Sequence, residues 1–478
     1  MKILLTGATG YIGRRLKEKL IAADTVQLRI FVRNASKVRD VVRDRLEVFE
    51  GDTFNVESLR KAFAGIDVAY YLIHSMGAKG DFEDLDRQSA RNFLEACIAA
   101  GVNRIIYLGG LGQKQTASKH LMSRIETGEI LSSQPDKIQT IWFRAGVVIG
   151  SGSASFEIIR HLVQKLPVMI TPKWLHTKTQ PISVRNVLEY LSLAKDIEIK
   201  DSLVVDIGAE ELNFRGMLLG AARVMGLKRR LVPVPLLTPR LSSCWLLLMT
   251  PVPYRVARAL VDGLKSETVI LNENAQRYFP DVTPLSYEEA VREALSDIEG
   301  NQVLSRWCDS SADKACDVRG QDRIETAVLR DRKVYDFGNI KPESVFASAQ
   351  SIGGDNGWFH SDFLWKIRGL IDKLLGGPGL NRGRRDPKTL RIGDSLDFWK
   401  VVDIQPKKRI LLSTQMKVPG RAWLEFSLEG TSLVQTAHFL PKGLWGRLYW
   451  YLTAPFHAFV FRDLAKGIIK RAKANGGE

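Results

Sequence analysis

The chain has 478 residues, 45% hydrophobic and 26% charged, which is enough apolar material for two or three cores and too much for one. Its formal net charge of +16 draws it toward phosphate-bearing partners, yet no zinc-finger, helix-turn-helix or RNP-type pattern accompanies the charge, so nucleic acid is not expected. Cys97, Cys244, Cys308 and Cys316 form no CxxC pair and no metal-type spacing with histidine, so neither a metal site nor a disulfide framework is expected, and a reducing cytosol suits them.

The opening residues MKILLT run straight into a glycine-rich loop and read as having no signal peptide. From there short apolar runs alternate with helical patterns. KILLT, VQLRIFV, LEVFEG, DVAYYLI, RIIYLGG and TIWFRAG read as strands, and DFEDLDRQSARNFLEACIAAGV reads as an amphipathic helix. Alternation at this rhythm predicts an α/β fold with a doubly wound parallel sheet, covered on both faces, over residues 1–300.

TGATGYIGRRL follows the first strand and opens the first helix, with Gly7, Gly10 and Gly13 in a GxxGxxG pattern. Glycine there allows a tight turn and lets backbone N–H groups approach a pyrophosphate at the helix N-terminus, so this is read as a Rossmann dinucleotide loop. Thr9, Tyr11 and Ile12 lie in the same loop and are candidate cofactor-binding residues with the three glycines. The second strand ends in FVRNASK, where an acidic residue would hold a free ribose 2′-OH. Arg33 stands there instead, with Lys37 nearby, so NADP is favoured over NAD. The other reading of Arg33 is that it stacks flat on adenine and tolerates both cofactors. Asp52 and Thr53, after the third strand, are further cofactor candidates. Asp52 is placed either to accept from the adenine amino group or to cap a helix.

These features resemble the extended and atypical short-chain dehydrogenase/reductase superfamily, including its NmrA-like members. In that family the fifth strand ends in a hydroxyl residue and YxxxK follows on the next helix. The resemblance implies that tyrosine donates a proton while lysine holds the nicotinamide ribose. Here SKHLMSRIETGEIL (118–131) places His120 at the tyrosine position and Arg124 at the lysine position, with Gly109 and Gly110 for the hydroxyl residues. Arg124 can still hold a ribose. His120, one helical turn from that cation, is expected to stay neutral and to be a poor proton donor. His74, where the fourth strand ends, is the expected helper at the sheet's carboxyl edge. The alternative for both histidines is a packing role beside the cofactor. FRAGVVIG (143–150) and QPISVRNVLEYL (180–191) resemble the segments bordering the nicotinamide and the substrate cleft.

The uncharged run 241–254 contains proline and falls short of the roughly 20 residues needed to span a bilayer. The polar, aromatic-free stretch CDSSADKACDVRGQDR (308–323) then predicts a linker, bounded at 301–325. Beyond it RILLSTQM, AWLEFSLEG and SLVQTAHFL read as antiparallel strands, and a helical stretch from Gly443 to Ala472 is expected to break at Pro455. GWFHSDFLWKIRGLIDKLLGG, RDPKTLRIGDSLDFWKV and PGRAWLEFSLEG resemble the DUF2867 domain, and with it the SRPBCC (START-like) α+β helix-grip fold, over residues 326–478. Such folds often enclose an apolar cavity. Leu424, Phe426 and Leu428 share a strand face with Leu412 and Phe439 nearby, and Trp445, Leu448, Leu452, Phe456 and Phe459 are spaced to cover them. They line a cavity for an apolar small molecule or simply fill a core. The run 448–461 is, like 241–254, too short to span but able to rest on a bilayer, so a cytoplasmic protein with peripheral contact at the inner membrane surface is expected. Two functions stay open. One is an atypical NADP-dependent oxidoreductase acting on an apolar carbonyl or quinone-like compound, and the other a non-catalytic NADP(H)-sensing regulatory or assembly protein.

Overall fold

The computed structural model describes residues 1–38, 45–74, 82–171, 176–233, 260–263, 266–299, 327–359, 362–374, 377, 379, 384, 386 and 388–475. The chain forms two compact units, Met1–Ser310 and Ser311–Glu478. The run 241–254 and the linker expected at 301–325 lie outside the described residues.

In the first unit the six apolar runs become strands: β1 (Lys2–Thr6), β2 (Gln27–Val32), β3 (Leu46–Glu50), β4 (Val68–Tyr71), β5 (Arg104–Gly110) and β6 (Gln139–Ala145). Short strands β7 (Val148–Ile149), β8 (Val168–Thr171), β9 (Lys178–Thr179) and β10 (Ile182–Ser183) precede β11 (Leu203–Ile207), the last member of the main sheet. Minor strands β12 (Leu212–Asn213) and β13 (Arg230–Pro233) pair with β9 and β8. The main sheet is parallel throughout, in the order β11-β6-β5-β4-β1-β2-β3. Its order reverses between β1 and β4, so the ligand crevice of such a fold lies at the carboxyl ends of those two strands.

The named helices of the unit's described residues are α1 (Tyr11–Ile21), α2 (Val56–Phe63), α3 (Phe82–Ala99), α4 (Lys119–Leu131), α5 (Ala154–Lys165), α6 (Val184–Leu193), α7 (Phe214–Val224), α8 (Asn274–Tyr278) and α9 (Tyr287–Glu299). Alternation along β1 explains the two layers. Ile3 and Leu5 face Leu16 and Leu20 of α1 and Leu191 of α6, whereas Leu4 points to the opposite core, with Leu59, Phe93 and Leu131. Both faces are buried along β1, β4, β5 and β6, which is why these strands read as near-continuous apolar runs, whereas the edge strand β3 is largely exposed.

The second unit runs β14 (Leu329–Asp336), α10 (Pro342–Gln350), α11 (Asp362–Leu374), β15 (Ser395–Leu396), β16 (Trp399–Gln405), β17 (Arg409–Thr414), β18 (Gly420–Glu429), β19 (Ser432–Pro441) and α12 (Gly443–Asn475). Its sheet is antiparallel, in the order β14-β19-β18-β17-β16-β15, so the first strand pairs with the last. β14 carries no apolar run in the sequence. It is an edge strand, LRDRKVYD, whose charges suit an edge facing water.

Two expectations for this unit fail. The C-terminal helix does not break at Pro455 but continues from Gly443 to Asn475. Trp450 before the proline and Val460 after it are anchored in the same core, and that packing offsets the roughly 3 kcal/mol a mid-helix proline costs. Nor do Trp445, Leu448 and Leu452 cover the sheet, because all three are exposed. Leu424, Phe426, Leu412 and Phe439 are covered instead by Trp450, Phe461, Leu464 and Ile468. At about 100° per residue, Leu448 and Leu452 each stand roughly 200° around the helix from Trp450. The side chains of Phe456 and Phe459 lie outside the described residues.

Candidate functional site

The phosphate loop joins β1 to α1. Gly7 has φ +69°, and a Cβ on it would lie 2.4 Å from the carbonyl oxygen of Leu72, at the end of β4. A Cβ on Gly13 would lie 2.1 Å from the carbonyl oxygen of Gly7. Strand end, loop and helix are thus pressed together at two points that only glycine can occupy. The Gly10 N–H donates to the Gly7 carbonyl at 2.8 Å, closing the turn. Helix α1 begins with no side-chain cap at Gly10 and no acidic residue in its first turn, so its positive end is not offset locally. Backbone geometry and helix polarity together fit a pyrophosphate.

The other loop candidates take separate places. The Thr9 carbonyl accepts from Arg14 Nε at 3.2 Å, and Ile12 packs on the core behind the loop. The Tyr11 hydroxyl donates to the Ser151 carbonyl at 3.1 Å, and its ring lies 5.0 Å from the Arg15 guanidinium. Burial pushes the Tyr11 phenol up to about 12, so its side chain is a neutral packing group. Arg33 follows the last residue of β2, is exposed, and has no ion-pair partner among the described residues. The structure describes no side chain for Lys37.

Asp52 and Thr53 are engaged within the fold. Asp52 Oδ1 accepts from the Phe54 N–H at 3.1 Å, and the cap of α2 is Asn55, whose Oδ1 accepts from Ser58 N at 3.0 Å. Asp52 therefore shapes the turn before the helix without capping it. Thr53 is buried, and its hydroxyl accepts from Ser89, which in turn accepts from the Tyr71 hydroxyl, each at 2.8 Å. That chain ties α3 to the end of β4.

The histidines meet. His74 lies three residues beyond β4, and His120 sits in the first turn of α4, which Ser118 caps by accepting from Leu121 N. Their Nε2 atoms are 2.9 Å apart. On the far side of His74, Asp86 Oδ2 of α3 stands 3.4 Å from Nδ1. Asp86 is 3% exposed and accepts from the Ser123 hydroxyl at 2.9 Å. A carboxylate facing Nδ1 favours a proton there, which leaves His74 Nε2 as acceptor for the Nε2–H of His120. Sequence reasoning missed Asp86. It lies near the start of α3 in a polar stretch with no motif spacing, and only the tertiary packing of α3 brings it to His74.

Both imidazoles are held neutral. Burial lowers His120 most, then His74 and Arg124 add repulsion, and the result is about 2 despite the opposing pull of Asp86. Burial likewise lowers His74, against the favourable contact with Asp86. The expectation that Arg124 disfavours an imidazolium is correct in direction, but desolvation is the larger cause.

Arg124 is tied to β5. Its Nη2 donates to the Leu108 carbonyl at 3.1 Å, while its own carbonyl accepts from the Tyr107 hydroxyl at 2.9 Å. Its Nε is buried without a hydrogen-bond partner among the described residues. The glycines at the end of β5 now have a physical reason. A Cβ on Gly109 would lie 2.6 Å from Trp142 Nε1, and one on Gly110 would lie 2.8 Å from Leu121 Cδ1. Trp142 and α4 occupy the space a serine or threonine would need. In the FRAG segment, Arg144 forms a two-pronged ion pair with the fully buried Asp206 (2.6 and 2.9 Å), locking β6 to β11. No group of three or more metal-ligating side chains occurs among the described residues.

Comparison with known proteins places these features. Residues 7–136 match the family described as NAD(P)H-binding, and residues 323–464 match the DUF2867 family, a protein family of unknown function. The chain is 26% identical to the ceramide reductase of Caulobacter vibrioides (strain NA1000 / CB15N) over 243 residues, covering 49% of this chain and 73% of that one. It is 29% identical over 108 residues to the 2-alkyl-3-oxoalkanoate reductase of Shewanella oneidensis, spanning 22% of this chain but only 27% of that protein. The structure of Citrobacter sp. triphenylmethane reductase complexed with NADP(H) aligns with a TM-score of 0.50 at 21% identity, covering 62% of this chain and 100% of that one. The chain therefore joins a Rossmann-type region that matches an NAD(P)H-binding family to a region that matches DUF2867.

Proposed function

We propose that the first unit is an NADP(H)-dependent oxidoreductase acting on an apolar carbonyl or quinone-like compound, with His120, His74 and Asp86 in place of the tyrosine–lysine pair. The observation that carries this reading is the chain Asp86–His74–His120 at the carboxyl edge of β4 and β5. Bound NADP(H) supplies or accepts the hydride. The loop glycines would admit the pyrophosphate, and Arg33, exposed and without an ion-pair partner among the described residues, would meet the 2′-phosphate.

The protein's own part is to move one proton. In the alcohol-to-carbonyl direction, His120 takes the hydroxyl proton through Nδ1, the nitrogen not turned toward His74. Its Nε2 proton passes to His74 Nε2, and the resulting imidazolium rests beside the Asp86 carboxylate. In the reverse direction the same proton returns to the new alkoxide. The positive charge is thereby held on the ring nearer Asp86. Arg124, anchored at Leu108, stays in place to hold a ribose. The names of the two reductase relatives, for ceramide and for 2-alkyl-3-oxoalkanoate, support an alkyl-bearing substrate.

The second reading, a non-catalytic NADP(H)-responsive protein, draws on the filled space at Gly109 and Gly110, where no hydroxyl can position a carbonyl. One experiment separates the two. NADPH oxidation by the full chain is followed with a panel of long-chain ketones and quinones, for the parent and for His120→Phe. General acid–base catalysis predicts a turnover loss of about a hundredfold or more in His120→Phe, with NADPH affinity kept within about threefold. Tight NADPH binding with no parental turnover on any member of the panel would decide for the non-catalytic reading.

A further inference from the structure

Two helices of the second unit expose apolar faces that nothing among the described residues covers. On α11, Phe363, Ile367, Leu370, Ile371 and Leu374 recur at helical spacing and form one exposed stripe, reaching 73% exposure at Leu374. The first turns of α12 repeat the pattern with Leu444, Trp445, Leu448, Tyr451 and Leu452, of which Leu444 is 83% and Trp445 77% exposed. The helices touch where Arg368 Nη2 donates to the Tyr449 hydroxyl at 3.0 Å and the guanidinium lies 5.8 Å from that ring. Ten large apolar side chains on two adjoining helices form far more than the scattered single exposures normal on a soluble surface.

Among the described side chains of α11 and the first turns of α12, the exposed charge beside these stripes is positive. Lys366 on α11, Lys442 just before α12 and Arg447 on α12 are exposed, and none has an ion-pair partner among the described residues. Elsewhere on the unit, Arg332 is paired with Glu429 and Lys407 with Glu343. Asp372 of α11 is fully buried, accepting from the backbone of Gly379 and Lys417, and along α12 the first carboxylate is Asp463. Apolar stripes with tryptophan and tyrosine, fringed by free lysine and arginine, match a boundary that is hydrocarbon beneath and anionic above. No helix among the described residues is long and apolar enough to cross a membrane.

We infer that α11 and the first turns of α12 dock on the surface of a bilayer containing anionic lipid, the apolar stripes entering the headgroup–acyl boundary while Lys366, Lys442 and Arg447 meet lipid phosphates. The helices lie on the bilayer and do not span it.

Flotation of the full chain with vesicles tests this. Vesicles of phosphatidylcholine with about 30% phosphatidylglycerol should carry the protein at about 0.05 M salt, with at least tenfold less binding to pure phosphatidylcholine and a similar loss at about 0.5 M salt. The triple variant Lys366→Gln, Lys442→Gln, Arg447→Gln should bind about a hundredfold more weakly, at roughly fivefold per cation. Leu370→Glu with Trp445→Glu should abolish flotation, and both variants should keep the parent's circular dichroism and melting temperature because the altered side chains are exposed. Quenching of the parent's tryptophan fluorescence by brominated phosphatidylcholine in the anionic vesicles gives a readout that needs no substitution. No flotation and no quenching at low salt would overturn the inference, as would equal binding by the parent and both variants. A parent that ignores vesicles but is a dimer, which Leu370→Glu with Trp445→Glu splits, would assign the face to a second copy of the chain and also overturn it.

Discussion

Acidification should loosen the first unit through the histidine pair. His120 is held near 2 in the folded protein, whereas a solvated imidazole titrates near 6.5. A folded-state value below the unfolded one means the unfolded chain binds more protons between these limits, so stability rises with pH there and falls as pH drops below about 6.5. By linkage the His120 contribution is about 2 kcal/mol at pH 5 and close to zero at pH 7, equivalent to about thirtyfold in the opening equilibrium. His74 shifts in the same direction and adds to the loss. Hydrogen exchange of the β4 and β5 amides reads the local opening free energy without requiring the two units to unfold together. After correction for intrinsic exchange rates, protection of these strands should fall between pH 7 and pH 5, and His120→Phe should remove about thirtyfold of that fall. An identical pH dependence in parent and variant would refute the reasoning, because it would mean that His120 is solvated and free to take a proton.

Two further outcomes concern the cofactor. Gly13→Ala puts a methyl group 2.1 Å from the Gly7 carbonyl oxygen, so the loop must shift, and NADPH affinity by calorimetry should drop at least about tenfold. Unchanged affinity would show that the pyrophosphate does not sit on this turn. Arg33→Ala should weaken NADPH by about ten- to a hundredfold with little change for NADH, because a charge-assisted contact to phosphate contributes roughly 1.5–3 kcal/mol. Equal losses for both cofactors would place Arg33 on the adenine ring, away from the phosphate.

Much of the N-terminal unit is legible from one dimension. Strands buried on both faces need apolar residues at nearly every position, so KILLT and DVAYYLI announce themselves, and the turn at Gly7 and the first turn of α1 at Gly13 tolerate only glycine. The neutral state of His120 follows in direction from its spacing to Arg124. By contrast, β14 is silent, because a charged edge strand carries no apolar signature, and its place is set by pairing with β19, about a hundred residues further on.

The site itself was decided in three dimensions. His74, Asp86 and His120 come from a strand end and two helices, and no local pattern encodes their meeting. The same holds for Gly109 and Gly110, whose small size answers to Trp142 on β6 and Leu121 on α4. Helix α12 shows the limit most plainly. Its first half is apolar nearly all round, so the sequence places tryptophan and leucine on every side and cannot say which side is inward. The sheet decides: Trp450 falls toward Phe439, and Trp445, Leu448 and Leu452 are left facing out because the helical period turns them away from it.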